Sequence, residues 1–196
     1  MSAHENMEHA EHAQHAAHSN KKIALLIAVL ALFLALSETL GKGAQTAAID
    51  FNVQSSDLWA FFQAKTIRMT VLRTSAERLQ LDTDTVAQEA AKSCMLKTAD
   101  EWKKKAARYD DEPSTNEGRK QLAKRAQTAE HMRDLAMARY HHYEVASAAY
   151  QIGIVLASAA VITGLVALAY LAGLLGAAGL AFTAIGQWAP NALHLF

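Results

Sequence analysis

The sequence predicts an all-α integral membrane protein with three transmembrane helices and a central helical hairpin or three-helix stalk. Three observations carry that expectation. The 52 residues from Val145 to Phe196 contain no Lys, Arg, Asp or Glu and are mostly Ala, Leu, Ile, Val and Gly. A second apolar run, Ile23 to Leu36, lies near the other end. Between them, Asp50 to Glu144 hold 16 of the 19 basic and 15 of the 19 acidic residues. With only two prolines and nine glycines in the chain, little opposes long helices.

Residues 1–20 form a low-complexity tail built on a His-containing triplet. His9, His12, His15 and His18 recur every third residue, with His4 just before them and Glu5, Glu8 and Glu11 in the same step. On a helix that step drifts by roughly 60° per repeat, so only neighbouring histidines share a face. Such pairs can chelate Zn, Cu or Ni, which makes His4, His9, His12, His15 and His18 the candidate divalent-metal ligands. The plainer reading is a solvated segment whose charge changes as the histidines titrate. No other cofactor is expected.

Residues 21–41 are expected to form the first transmembrane helix. The apolar run of 14 residues is short for a span of about 20, but continuing through Leu40 makes 18, with Lys22 and Lys42 able to snorkel at the ends. A signal peptide is the rival reading, and the acidic, His-rich leader argues for a retained anchor. Glu38 stands four residues before Lys42, the order that favours an ion pair. Gly41-Lys-Gly43 is expected to bend or interrupt the helix.

Residues 44–148 read as the charged helical stalk. Leu58, Phe61, Phe62, Leu72 and Leu79 give a helical stripe. Thr85-x-x-Gln88 reads as a capping box for a helix running to about Tyr109, and Ser114-x-x-Glu117 as the cap of the next. Asp110 to Asn116 is the clearest loop. Leu122, Ala126, Ala129, Ala136, Tyr140 and Tyr143 then form a coiled-coil-like seam, interrupted by Arg133, on a helix that continues into the second span. Lys103 to Lys105 read as a solvated helix face. Asp57, Trp59, Phe62, Gln63, Lys65 and Arg68 admit two readings. They form either an interaction surface with aromatic and Arg anchors, or a core patch bordered by long cations, and the core patch is favoured.

The His-Ala-Glu-His-Ala leader, the Lys-flanked anchor, the segment Ser56-Asp57-Leu-Trp59-Ala-Phe-Phe-Gln63-Ala-Lys65 and the stretch His142-Tyr143-Glu144 resemble one family. It is a bacterial family of small membrane proteins catalogued as a domain of unknown function, number 4337. The likeness covers nearly the whole chain. It implies an integral membrane protein with a helical middle, and brings neither an activity nor a site.

Residues 149–171 and 173–189 are expected to form transmembrane helices 2 and 3, with the turn at Gly173 and Gly176 and a short tail at 190–196. Trp188 and Pro190 mark the interfacial end. Ala149, Gly153 and Ala157 lie four apart, as do Ala160 and Gly164, and Gly173 and Ala177. Small residues at that step let helices approach closely, so Ala149, Gly153, Ala157, Gly164, Gly173 and Ala177 are the candidate helix-packing and oligomer positions. The polar residues in these spans are few (Ser158, Thr163, Thr183 and Gln187), too few for a charged relay.

The functional expectations are correspondingly narrow. The balanced charge gives no nucleic-acid footprint, and neither a phosphate loop, a nucleophile elbow nor a zincin motif is present. Lone Cys94 in an Ala-rich helix reads as a small buried residue, so no enzyme is expected. The expectation is a self-associating structural or scaffold-like protein of the bacterial inner membrane, whose partners are the bilayer and copies of itself. Its N-terminus is expected in the cytoplasm because Lys21-Lys22 outweigh Lys42. The alternative is a metal- or pH-responsive pore or transport accessory acting through the His-rich tail.

Overall fold

The computed structural model describes the backbone of residues 3–192 and the side chains of residues 21–192, so the candidate metal ligands His4, His9, His12, His15 and His18 lie outside the described side chains. Among the described residues four helices follow one another: α1 (Ala3–Asp82), α2 (Glu89–Asp110), α3 (Arg119–Thr163) and α4 (Val166–Trp188), with one 3-10 turn at Thr83–Thr85. The described residues contain no strand. The helices α1, α3 and α4 are each long and apolar enough to cross a membrane.

The chain forms two compact units, one of Met1–Ala48 with Asp134–Phe196 and the other of Ile49–Arg133. Along α1, buried and half-buried residues alternate steps of four and three without a slip. Ile23, Ile27, Leu30, Leu34, Ser37, Gly41, Ala44 and Ala48 belong to the first unit. Phe51, Ser55, Leu58, Phe62, Lys65, Met69, Leu72, Ala76 and Leu79 belong to the second. A strict seven-residue repeat on a helix of 3.6 residues per turn makes packed neighbours wrap left-handedly. The stripe expected at Leu58, Phe62, Leu72 and Leu79 lies on this register, whereas Phe61 does not and is exposed.

In the first unit the core is made mostly of small side chains. Ile23 packs with Ala157, Ala160 and Ala172, and further along the helix Leu30 packs with Ala146 and Tyr150. In the second unit Leu58 packs with Leu122, Ala126 and Ala129, under the rings of Trp59 and Phe62. The α3 seam holds as expected. Leu122, Ala126, Ala129, Ala136 and Tyr143 are buried, while Tyr140 and Arg133 are half-buried.

Four local expectations are corrected. First, α1 continues without a break through Gly41-Lys-Gly43. Gly41 is buried, and a Cβ there would stand 3.5 Å from the Tyr143 Cβ, so the residue permits packing and does not interrupt the helix. Second, Thr85 does not cap α2. Its hydroxyl donates to the Asp82 carbonyl at 2.7 Å, closing the end of α1, and α2 begins after Gln88. Third, α3 begins at Arg119 and not at Ser114, because Asn116 takes a left-handed conformation (φ 58) and Gly118 supplies the first carbonyl, to Leu122 N at 2.9 Å. Fourth, the last turn is at Gly164-Leu165, and both Gly173 and Gly176 lie inside α4. Gly164 alone among the described glycines has a positive φ, 72°, which a residue with a Cβ adopts only with strain. The expected spans 149–171 and 173–189 therefore give way to helices that end at Thr163 and start at Val166.

Candidate functional site

Within the first unit, α4 is held to α3 by a ladder of polar contacts. Tyr150 and Thr183 share a hydrogen bond of 3.2 Å, and the Tyr143 hydroxyl donates to Gln187 Oε1 at 2.9 Å. His142 is 1% exposed and stands 2.9 Å from the Pro190 carbonyl through Nε2. A carbonyl only accepts, so the proton is on Nε2, and the buried Nδ1 has no hydrogen-bond partner among the described residues. On α1, fully buried Ser37 donates to the Tyr143 carbonyl at 3.0 Å. Each bond satisfies a polar group inside an apolar unit, where an unpaired one costs about 1–3 kcal/mol. Gln151 donates to Glu38 at 3.4 Å, so Glu38 bonds across helices and not with Lys42 as expected.

The small residues have been divided between two tasks. Gly153 and Ala157 are buried inside the chain, and a Cβ on Gly153 would stand 3.2 Å from Leu30 Cδ1 and 3.3 Å from the Ala172 carbonyl. Gly179 and Gly186, which sequence spacing did not single out, are buried too. A Cβ would meet the Tyr150 ring at 2.6 Å at the first and the His142 Cβ at 2.9 Å at the second. Ala149 is half-buried and Gly164 is the exposed turn residue. Gly173 is half-buried with nothing within 4 Å of its missing Cβ, and Ala177 and Ala181 are exposed. The row Gly173, Ala177 and Ala181 therefore faces away from the chain's own core.

The segment from Asp57 to Arg68 is resolved largely as a core patch. The Trp59 indole donates to Glu130 Oε1 at 2.8 Å, and its ring meets Phe62 edge-on at 5.3 Å. The Arg119 guanidinium lies 4.9 Å from the centre of the Phe62 ring, hydrogen-bonds Thr66 and pairs with Asp110 at 2.9 Å. Lys65 is buried, with its ammonium 5.2 Å from the ring centres of both Phe61 and Tyr109 and 3.8 Å from Glu117. These contacts join α1 to α2, α3 and the loop between the last two. Asp57, Gln63 and Arg68 remain exposed, so the candidate interaction surface does not form as a unit. The half-buried Arg133 reaches Asn52 Oδ1 at 3.5 Å.

Two larger grooves accompany these contacts, one in each unit. The groove of the second unit, about 600 Å³, has Phe51, Leu58 and Met132 among its walls and Lys120, Lys124 and Arg125 at its edge. Lys120 is already engaged by Asp111 at 3.1 Å. The groove of the first unit, about 680 Å³, is apolar and runs between α1 and α4 past Phe33, Leu36, Leu40, Leu180 and Trp188. Among the described residues no group of three or more His, Cys, Asp or Glu side chains could hold a metal ion, and Cys94, expected to be buried, is instead an exposed free thiol.

The class is thus an all-helical protein with three helices compatible with a bilayer and a polar ladder between two of them. The chain belongs to the family described as Domain of unknown function (DUF4337), which matches residues 19–189. That range includes the first apolar run, the charged middle, and all of α3 and α4. No curated protein and no solved structure matches the chain.

Proposed function

We propose that this is a multi-pass membrane protein of structural role, which associates with copies of itself and carries the Ile49–Arg133 unit as a stalk outside the bilayer. The observation that carries the self-association reading is a second apolar stripe on α1, away from its buried seam. Ile49, Val53, Ala60, Ala64, Ile67 and Val71 follow helical spacing, and all are exposed, Ile67 to 65% and Val71 to 56%. A charged unit with its own core already filled has no internal use for that stripe, and exposed apolar stripes mark contact surfaces. The unfilled row Gly173, Ala177 and Ala181 on α4 supports close helix approach within the bilayer.

Membrane insertion is supported by the outward side chains of the first unit. Leu25, Leu32, Val155, Ile162 and Leu174 are each 60% exposed or more, as lipid-facing residues are. On this reading the spans are the part of α1 after Lys21, the end of α3, and α4, with the N-terminus in the cytoplasm of a bacterial cell. Resistance of the chain to alkaline carbonate extraction tests insertion. Mass photometry in mild detergent tests association, and a strictly monomeric protein overturns it. Ile67→Glu with Val71→Glu is expected to shift the distribution toward monomer.

Five histidines before residue 20 keep a narrower second reading open, in which the tail binds divalent metal. Calorimetric titration of the full chain with Zn, Cu and Ni tests it, and affinities no better than millimolar exclude it.

A further inference from the structure

We infer that the groove between α1 and α3 at Glu38 and Lys42 binds the headgroup of a zwitterionic phospholipid carrying a primary amine. The inference rests on the reading that α1, α3 and α4 cross a bilayer. The groove holds about 350 Å³, and Glu38, Lys42, Gln45, Tyr140, Glu144 and Ser147 line it. Glu38 and Lys42 follow the apolar run Ile23 to Leu36 by two and six residues, within two helical turns of its end, where a bilayer's hydrocarbon gives way to its headgroups.

Its charges select the ligand. Two carboxylates and one ammonium face the same space, so an anionic headgroup meets Glu38 and Glu144, and a simple cation meets Lys42. A group with an ammonium and a phosphate satisfies both signs at once. Glu38 bonds with Gln151 and so leaves the Lys42 ammonium for the phosphate. The Glu144 oxygens make only long contacts, 3.4 Å to the Tyr140 hydroxyl and 3.8 Å to His141 Nδ1, and retain lone pairs for an amine.

Ser147 is the second, independent observation. It is 9% exposed, and it opens onto the groove. Ser37 and Ser158 spend their hydroxyls on backbone carbonyls, at 3.0 and 2.8 Å. The Ser147 hydroxyl has no such protein partner among the described residues. A hydroxyl that opens onto the groove beside two carboxylates, without a protein hydrogen bond of its own, is one that an amine with three hydrogen-bond donors would engage.

Native mass spectrometry of the full chain, released from mild detergent with equal amounts of phosphatidylethanolamine, phosphatidylglycerol and phosphatidylcholine, tests the proposal. Phosphatidylethanolamine is expected to be retained preferentially. Glu144→Gln and Lys42→Ala are each expected to cut that retention about tenfold, as loss of one charge-assisted bond would. Lys22→Ala, at the other end of the apolar run, is expected to leave it unchanged, and circular dichroism checks that the variants stay helical. Equal retention of the three lipids overturns the site, as does unchanged retention in both groove variants. Equal competition by free glycerophosphoethanolamine overturns the lipid as occupant. A chain removed from membranes by carbonate refutes the spanning reading itself, whereas a membrane-retained chain without lipid preference refutes only this site.

Discussion

Tyr143 and Gln187 stand 44 positions apart in sequence, yet the tyrosine hydroxyl donates to Gln187 Oε1 across 2.9 Å. The bond spans from α3 to the last turn of α4, beside the contact of His142 with the Pro190 carbonyl. Together they fasten the end of α4 at the point where Gly186 lies against His142 and Tyr143. A double-mutant cycle with Tyr143→Phe and Gln187→Leu is expected to give a coupling of about 0.6 kcal/mol, the usual size for such bonds between membrane helices. Strict additivity of the two changes in thermal unfolding would refute the coupling.

Glycines within α4 should respond oppositely to alanine. A Cβ on Gly179 would stand 2.6 Å from the Tyr150 ring, so Gly179→Ala should cost about 1–3 kcal/mol through overpacking. Gly173 has open space at its Cβ position, and Gly173→Ala should be neutral or stabilise by up to about 1 kcal/mol through helix propensity. Melting temperatures in one detergent decide between the two. Equal loss of stability in both variants would mean that α3 and α4 do not pack in this way.

The turn before α4 depends on one backbone conformation. At φ 72, Gly164→Ala should cost about 1 kcal/mol, although nothing lies within 4 Å of the new methyl group. Gly164→Asn should recover part of that loss, since Asn tolerates the left-handed region better than Ala does. Thermal unfolding of Gly164→Asn no better than that of Gly164→Ala would count against the turn.

Trp59 tests whether the Asp57–Arg68 segment is core or contact surface. Trp59→Phe removes the bond to Glu130 and should cost about 1 kcal/mol of stability. Asp57→Ala, at an exposed position, should stay within about 0.5 kcal/mol. Denaturant unfolding of the full chain measures both, and a larger loss at Asp57 than at Trp59 would reverse the assignment.

The α2–α3 loop should make the protein less stable in acid. Hydrogen bonding from Arg108 holds the Glu112 carboxyl below its ordinary range, and hydrogen bonds from Gln121 and then Lys120 do the same for Asp111. A carboxyl whose folded pKa is lowered contributes stability above its unfolded value of about 4, and loses it as the pH falls through the folded value. The melting temperature should therefore fall as the pH drops below about 4, and fall less in Arg108→Ala with Lys120→Ala. An acid limb of equal slope in the variant would contradict this account.

Much of the helical plan was legible. Val145 to Phe196 carries no charge, and the α3 seam from Leu122 to Tyr143 followed its spacing into burial. The departures were all local and share a cause. Thr85, Ser114, Gly41 and Gly173 are each of a type that favours a cap or a turn, and each is used otherwise because the surrounding chain decided the matter. Thr85 bonds Asp82, and Gly41 accommodates Tyr143. Lys65 was the other surprise. A lysine is buried only where partners surround it, and of its two rings and one carboxylate only Phe61 is near it in sequence.

Composition and periodicity are enough to establish helices throughout, two apolar regions flanking a charged one, and spacings that name a buried face. These follow from local propensity and periodicity, which act along a single helix. Which small residues are consumed inside the chain and which are left facing outward depends on how the helices pack against one another. Gly153 and Ala157 lie against Leu30 and Ile23, while Gly173 and Ala177 share the same spacing and remain open on their outer side. A row of small side chains permits close approach without specifying the partner, and the partner is fixed only when another helix arrives at that face.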